Sequence, residues 1–165
     1  MKINKIISFL LIALLFVSCA DDLQETNLNP NEAQVAQPEY LLSNAIKSSV
    51  DTYWGTTNNL DGTLLFAQHV AKIQYTEIDR YIASTTTFES PWKSFYSQGL
   101  RDLNEVIKIG ENENSPNYKA VATIFRSWIF LLLTDAYGDI PYSEAIDIDN
   151  HITPAYDAQQ DVYYG

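Results

Sequence analysis

The sequence is poor in the residues that disulfides, metal sites and nucleic-acid contacts require. Its 165 residues include one cysteine and two histidines, His69 and His151. A single cysteine excludes an intramolecular disulfide, and with so few histidines we expect no metal site. Ten Lys and Arg stand against 21 Asp and Glu, which gives a formal net charge of −11. Because such an acidic surface repels phosphate backbones, we expect no nucleic-acid partner.

Common catalytic and cofactor motifs are missing as well. The chain has no glycine-rich phosphate loop, no Gly-x-Ser-x-Gly elbow and no Cys-x-x-Cys pair. Neither histidine lies near a nucleophile motif, and we expect both to be structural or exposed. The sequence therefore predicts no cofactor and gives no argument for catalysis. What it does have is 46% hydrophobic and 13% aromatic residues, enough for one folded domain and too many for a disordered acidic tail.

The N-terminus has the pattern of an export signal. Lys2 and Lys5 precede an apolar run over residues 6–17, which as a helix would span roughly 18 Å, too short for a hydrocarbon core of about 30 Å. This predicts a signal peptide over residues 1–18, whose removal would make the net charge of −11 into −13. Ser18 directly precedes Cys19, an arrangement that resembles a bacterial lipobox. The resemblance implies cleavage before Cys19 and its acylation with more than one chain, such as palmitate, since one chain anchors only marginally; the alternative is a free cysteine after a general signal peptide.

Residues 19–37 are polar with little periodicity and predict a tether, whereas residues 38–165 have helical periodicity. We predict helices over 41–54 (stopped by Gly55), 60–73, 91–110 (after a Ser90–Pro91 start) and 117–137 (after Ser115–Pro116, ending at Gly138), with an ordered loop over 74–89. Asp157 and Gln160 resemble a capping box that begins a fifth helix.

The centre of the fourth helix, residues 128–133, is apolar on every side, so we expect it to be buried. Arg126 and Asp135 bracket only eight residues, which argues against a membrane span. Four helices offer too few partners for such a centre. We therefore expect residues 38–165 to be the truncated N-terminal part of a longer domain; the alternative is a frayed terminus.

Two groups of residues are candidates for a site. Asp135 and Asp139 could act as an acid and base pair or bind a cation, although their spacing does not match a calcium loop; the alternative is a helix terminus in which Asp139 hydrogen-bonds the turn. Tyrosines outside the predicted helix faces could stack on sugar rings, and the candidates are Tyr75, Tyr81, Tyr142 and Tyr156. The aromatic residues that keep helical register are expected in the core: Trp92, Phe95, Phe125 and Trp128.

Three strings stand out beside the lipobox: WKSFYSQGLRDLN at 92–104, TDAYGDIPYSEA at 134–145 and ITPAYDAQ at 152–159. Together they resemble the N-terminal part of the SusD/RagB-like nutrient-binding lipoproteins of Bacteroidetes. The resemblance implies an all-α fold of tetratricopeptide-like antiparallel helix pairs, here an incomplete α-superhelical domain. It implies a lid on the cell surface over a SusC-like TonB-dependent barrel in the outer membrane. Acidic Asp21 and Asp22 also resemble the surface-export signals of such lipoproteins.

The resemblance further implies that the protein captures oligosaccharides, or peptides in some members, and passes them to the barrel without catalysis. It supports Cys19 as a lipid-attachment site and carries over no ligand residue. Two alternatives remain open at this point. One is a lipid-anchored hydrolase that uses Asp135 or Asp139, and the other is a non-functional truncated product.

Overall fold

The computed structural model describes residues 36–165, and its first helix, α1, is Pro38–Trp54. Pro38 occupies the first turn, where its missing N–H costs no hydrogen bond. The helix ends at Gly55 as predicted, but Gly55 has an extended conformation (φ −65°), so no left-handed cap is involved. The need for glycine is steric, because a Cβ at this position would lie 2.5 Å from the carbonyl oxygen of Asp51.

The second helix, α2, differs from its prediction at both ends. It consists of a π-helical stretch, Thr56–Thr63, and a short α-helical stretch, Leu64–Phe66, whereas the sequence predicted residues 60–73. It begins early because Asn58 donates its side-chain amide to the carbonyl of Tyr53 at 3.0 Å, which caps the end of α1. It ends early at Phe66, and Gln68 just beyond it has a left-handed backbone (φ 56°). Ile73, assigned to its apolar face, is 99% exposed in the loop that follows.

The loop between α2 and the third helix is built of turns, as predicted for residues 74–89. Tyr75 and Tyr81 both have left-handed backbones, with φ of 55° and 59°. Asp79 accepts the backbone N–H of Lys72 at 2.8 Å, and the Tyr81 hydroxyl donates to the carbonyl of Phe66 at 3.1 Å.

The third helix, α3, confirms the prediction over 91–110 and contains a π-helical segment. Its parts are Glu89–Ser94, Phe95–Leu100 (π-helical) and Arg101–Asn112. Ser90 lies inside the first turn and caps nothing, so that detail of the prediction was wrong. At Gly99 a Cβ would lie 2.5 Å from Ser49 Oγ and 3.1 Å from Ile129 Cδ1. Gly99 therefore lets α1 and the fourth helix approach α3 closely.

The fourth helix, α4, is Pro116–Tyr137 and ends before Gly138 as predicted; Gly138 has a positive φ of 80°, but its ψ of −122° is not that of the αL cap. Ser115 holds the N-cap position, but its hydroxyl makes no cap hydrogen bond. The expectation that residues 128–133 are buried is only half right. Ile129, Phe130 and Leu133 are buried, while Leu131 is 37% exposed. By length and composition alone α4 could cross a membrane, yet Arg126 on it donates to Asn104 of α3 at 3.3 Å.

The core lies where α1, α3 and α4 meet. Ser49 and Asn44 of α1 contact Gly99 and Asp102 of α3, so residue numbers run in opposite directions along the pair. The same holds for α3 and α4, which are joined by a short turn and are therefore antiparallel. The buried apolar side chains are Ala45, Leu65, Phe95, Leu100, Leu103, Val106, Ile107, Ala122, Ile129, Phe130, Leu133, Ile140 and Val162. The all-α prediction is confirmed.

The last helix, α5, is Gln159–Tyr164 and is not capped by the predicted box. The residue before it is Ala158, and the carboxylate of Asp157 is turned away to accept the backbone N–H groups of Tyr142 and Ser143 at 3.0 and 2.8 Å. A tertiary contact thus overrides the local capping pattern.

Candidate functional site

A loop of residues 141–156 closes on itself beside α3. Ile140 and Asp157 form an antiparallel bridge at its base, with N···O distances of 3.1 and 2.9 Å. Inside the loop, Glu144 Oε2 accepts the backbone N–H of Ala155 at 2.8 Å. Compact loops whose ends meet in this way are often functional. We call residues 141–156 the closed loop.

Polar contacts fix the closed loop to α3. The Tyr96 hydroxyl donates to the carbonyl of Pro141 at 2.7 Å. Burial, with smaller contributions from Tyr156 and Asp157, raises the pKa of Tyr96 well above its usual range, so this hydroxyl keeps its proton.

At the base of the closed loop, the hydrogen bonds from Ser143 and Tyr142 lower the pKa of Asp157, which keeps that carboxylate charged as an acceptor.

An aromatic pair joins the closed loop to α3. The rings of Trp92 and Tyr156 are stacked, with centroids 6.3 Å apart and an interplanar angle of 15°. Trp92 also meets Tyr96 at 4.8 Å and Tyr137 at 5.0 Å, which holds the indole in place. Tyr156 is 66% exposed. The exposed ring of Tyr156 is therefore supported on one face by the indole of Trp92, which its neighbours hold in place.

A groove of about 570 Å³ lies between α3 and the closed loop. We call it the α3 groove. Its apolar lining is Trp92, Tyr96, Ile146, Ile148, Ile152 and Pro154, and its polar lining is Glu89, Lys93, Ser97, Arg101 and His151. An apolar surface with a few polar groups is the usual composition of a small-molecule site.

The backbone is strained at one lining residue of the α3 groove. Ile146 has a φ of 63°, a left-handed conformation that is rare for a β-branched residue. Such strain costs on the order of 1–3 kcal/mol and is concentrated at functional sites. Nearby, Ile148 and Ile152 are 76% and 85% exposed, which is unusual for isoleucine.

The four candidate tyrosines fall into two separate places. Tyr142 and Tyr156 belong to the closed loop; Tyr142 is half-buried with its ring edge-to-face on Phe130 at 4.9 Å. Tyr75 is 81% exposed and lines a different groove of about 430 Å³ in the loop after α2. Tyr81 lies in the same loop and stacks on Phe66 at 5.8 Å. Cys19 lies outside the described residues.

The two candidate catalytic aspartates hold α5 in place. Asp139 Oδ1 accepts the backbone N–H of Gln159 at 3.0 Å, and Asp135 Oδ1 accepts the hydroxyl of Tyr163. This hydrogen bond raises the pKa of Tyr163. Within residues 36–165, no group of three or more His, Cys, Asp or Glu side chains is arranged to hold a metal ion.

The sequence patterns did not identify Trp92, Lys93 and Arg101 as candidate site residues. Trp92 was expected in the core because it keeps helical register with Phe95, yet it is half-buried and lines the α3 groove. The spacing of three polar residues does indicate this face of the helix, because Lys93, Ser97 and Arg101 recur every four residues and therefore lie on one side.

Comparisons with known proteins give one family. A family model for SusD-like proteins, described as starch-binding and associating with the outer membrane, matches residues 30–165. No curated protein and no solved structure matches the chain significantly.

Proposed function

The chain belongs to the SusD-like family of starch-binding proteins that associate with the outer membrane, and on that premise we propose that it is a non-catalytic surface lipoprotein that binds oligosaccharides and delivers them to a SusC-like TonB-dependent transporter. Family membership gives it a carbohydrate-binding role at the outer membrane. The ligand site, the lipid anchor and the transporter partner are our proposals.

The stacked pair of Trp92 and Tyr156 carries the proposal of a sugar site. One ring of the pair is 66% exposed and the other lines the α3 groove. The C–H faces of a pyranose pack on the electron-rich face of an aromatic ring. Polar side chains on both walls of the α3 groove can form hydrogen bonds with the sugar hydroxyls. Tyr142 belongs to the closed loop but packs on Phe130 outside the groove lining, and Tyr75 and Tyr81 form a second, independent candidate.

Binding of maltoheptaose by the full chain in detergent, measured by isothermal titration, tests the α3 groove. We expect Tyr156→Ala to weaken binding by about tenfold, equivalent to about 1.4 kcal/mol, because the exposed stacking face is lost. Tyr156→Phe keeps the ring and should bind almost as the parent chain does. Trp92→Ala should also weaken binding, but it removes packing on Tyr96 and Tyr137, so its unfolding must be measured beside it.

Tyr164→Ala is the matched control, because Tyr164 is 86% exposed on α5 and, unlike Tyr156, does not stack on the groove residue Trp92. If Tyr156→Ala and Tyr164→Ala bind maltoheptaose equally well, the Trp92–Tyr156 pair is not the sugar site. Tyr75→Ala and Tyr81→Ala then test the loop after α2. If no tyrosine variant and no sugar gives a difference, the carbohydrate proposal for this part of the chain fails.

The anchor is proposed from the sequence of residues 1–37. We propose that residues 1–18 are removed, that Cys19 is acylated and that residues 19–37 are a tether. Metabolic labelling with an alkyne-bearing palmitate analogue should label the parent chain and not Cys19→Ala. Protease shaving of intact cells should remove the chain if it is on the outer surface. Labelling of Cys19→Ala would contradict the anchor.

The transporter partner is testable by mild detergent extraction of the native outer membrane. Affinity purification of the chain should recover a TonB-dependent barrel in comparable amount. Recovery of the chain without any such barrel would contradict this part of the proposal.

The expectation that residues 38–165 are part of a longer domain stays a prediction. The outward face of α4 is consistent with it, since Val121 and Ile124 are 46% and 71% exposed. Further helices packed there would bury these side chains.

A further inference from the structure

A buried carboxylate fixes an exposed arginine at the α3 groove. Asp102 is only 3% exposed, and its Oδ1 accepts Nε and Nη2 of Arg101 at 3.0 and 2.8 Å. Its Oδ2 accepts the side-chain amide of Asn44 on α1 at 2.7 Å, which holds the carboxylate in turn. The Arg101 side chain is itself 65% exposed.

This arrangement leaves one edge of the guanidinium free. Two of its nitrogens are held on one side by Asp102, and among the described residues Nη1 has no hydrogen-bond partner. A guanidinium with a free edge can bind a carboxylate or sulfate through two parallel hydrogen bonds. Because Asp102 sets its orientation beforehand, little side-chain entropy is lost when an anion binds.

Lys93 supplies a second cation on the same wall. It lies eight residues before Arg101 on α3, and it also lines the α3 groove. Within residues 36–165 no carboxylate lies at ion-pair distance from its ammonium group. Among the lining side chains these two cations face one acid, Glu89, in a chain whose formal net charge is −11.

Two acids of the closed loop lie near His151 outside the groove lining, and contacts within the loop hold them there. Glu144 accepts the N–H of Ala155 and lies 3.4 Å from Nδ1 of His151, while Asp147 lies 3.9 Å from Nε2 of the same ring. At physiological ionic strength the screening length is about 8 Å, so the nearest charges dominate what a bound group experiences. At the α3 wall those charges are Glu89, Lys93 and the Arg101–Asp102 pair, and of these side chains only Lys93 and Arg101 can donate hydrogen bonds to an acidic group.

From this geometry we propose that the α3 groove selects an anionic glycan, one that bears uronate carboxylates or sulfate groups. The sugar ring packs on Tyr156 and Trp92, its acidic group binds the free edge of Arg101, and Lys93 contacts a second acidic group. The inference rests on the proposed sugar site and adds the charge of its ligand.

Titration of the full chain in detergent with three sugars of matched length tests this: heptagalacturonate, a chondroitin sulfate oligosaccharide and maltoheptaose. We expect at least one acidic sugar to bind about tenfold more tightly than maltoheptaose, and its affinity to fall as NaCl is raised. Tight binding of heptagalacturonate shows that carboxylates suffice. Because chondroitin sulfate carries uronate carboxylates as well as sulfates, tight binding of chondroitin sulfate but not of heptagalacturonate shows that sulfate is required.

Arg101→Gln should lower the affinity for the acidic sugar about tenfold and lower that for maltoheptaose by a much smaller factor, because a neutral hydroxyl loses one ordinary hydrogen bond rather than a charge-assisted pair. Arg101→Lys keeps the charge without the two-pronged geometry and should give an intermediate loss. Since Arg101→Gln also removes hydrogen bonds to Asp102, Lys93→Gln provides an independent variant, with an expected loss of about threefold. Lys108→Gln is the control, because Lys108 is an exposed lysine on α3 outside the groove.

Equal binding of acidic and neutral sugars, or equal losses for Lys93→Gln and Lys108→Gln, would overturn the inference. If maltoheptaose still binds and depends on Tyr156 in that case, the sugar site stands and only its charge preference is wrong. If no sugar binds but a peptide with aliphatic side chains does, both proposals are wrong.

Discussion

Asp139, in the segment after α4, accepts the backbone N–H of Gln159 at 3.0 Å and so caps a helix that begins 20 residues later in the chain. An acidic side chain at a helix N-terminus satisfies an otherwise unpaired donor and interacts favourably with the helix dipole. This contact accounts for Asp139 without any reaction chemistry.

Asp139→Ala should therefore lower the free energy of unfolding by about 1 kcal/mol, as expected for the loss of an N-cap. Asp139→Asn should cost less, because its amide oxygen can still accept the Gln159 N–H. Urea unfolding followed by circular dichroism measures both. Asp149→Ala is the control for lost charge, since Asp149 is exposed in the closed loop. Loss of a measurable glycosidase activity in Asp139→Asn would instead support the hydrolase alternative.

The helices of the core could be predicted because local sequence determines them. In α4, apolar residues keep helical spacing between Pro116 and Gly138, and each of these two residues favours one end of a helix whatever surrounds it. The start of α2 could not be predicted, since it depends on Asn58 bonding to the end of α1. Asp157 shows the same limit: its local pattern is that of a cap, but the N–H groups of Tyr142 and Ser143 bind it instead.

The candidate site was predicted in part. Tyr142 and Tyr156 were placed outside the helices by the prolines around them, and both lie in the closed loop. Trp92 could not be distinguished from a core residue, because its exposure depends on where the closed loop packs. The Asp102–Arg101 contact could not be predicted for a similar reason, because the burial of Asp102 requires Asn44 of a different helix.

Gly99 and Ser49 make a close helix crossing that can be tested by a double-mutant cycle. Gly99→Ala should lower the free energy of unfolding by about 1–3 kcal/mol, because its Cβ would lie 2.5 Å from Ser49 Oγ. Ser49→Ala alone should be neutral or stabilising, since Ser49 Oγ is buried and has no hydrogen-bond partner among residues 36–165. The double variant should lose less than the sum of the single variants. Simple additivity in urea unfolding would mean that the two atoms do not meet.

Asp102→Ala should lower the free energy of unfolding by about 2–3 kcal/mol, because it removes a buried acceptor of hydrogen bonds from both Asn44 and Arg101. Asp102→Asn keeps one acceptor oxygen and should cost less. Glu105→Ala on the exposed face of α3 is the matched control. Equal denaturation midpoints for Asp102→Ala and Glu105→Ala would show that the buried carboxylate contributes nothing to stability.

Asp157 should make the closed loop sensitive to acid. The Ser143 backbone hydrogen bond, together with those from the Ser143 hydroxyl and the Tyr142 N–H, lowers its folded-state pKa below the ordinary value of 3.8. A lowered folded-state pKa gives stability that is fully present above the unfolded-state pKa and is lost as the pH falls through the folded-state value. The free energy of unfolding of the parent chain, measured in urea between about pH 6 and about pH 2, should therefore fall more steeply at the acid end than that of Asp157→Asn. Asp149→Asn removes the same charge without these bonds, and its curve should keep the parent's steeper acid fall. If Asp157→Asn and Asp149→Asn give parallel curves over the whole range, the hydrogen bonds to Asp157 are not what stabilises the closed loop.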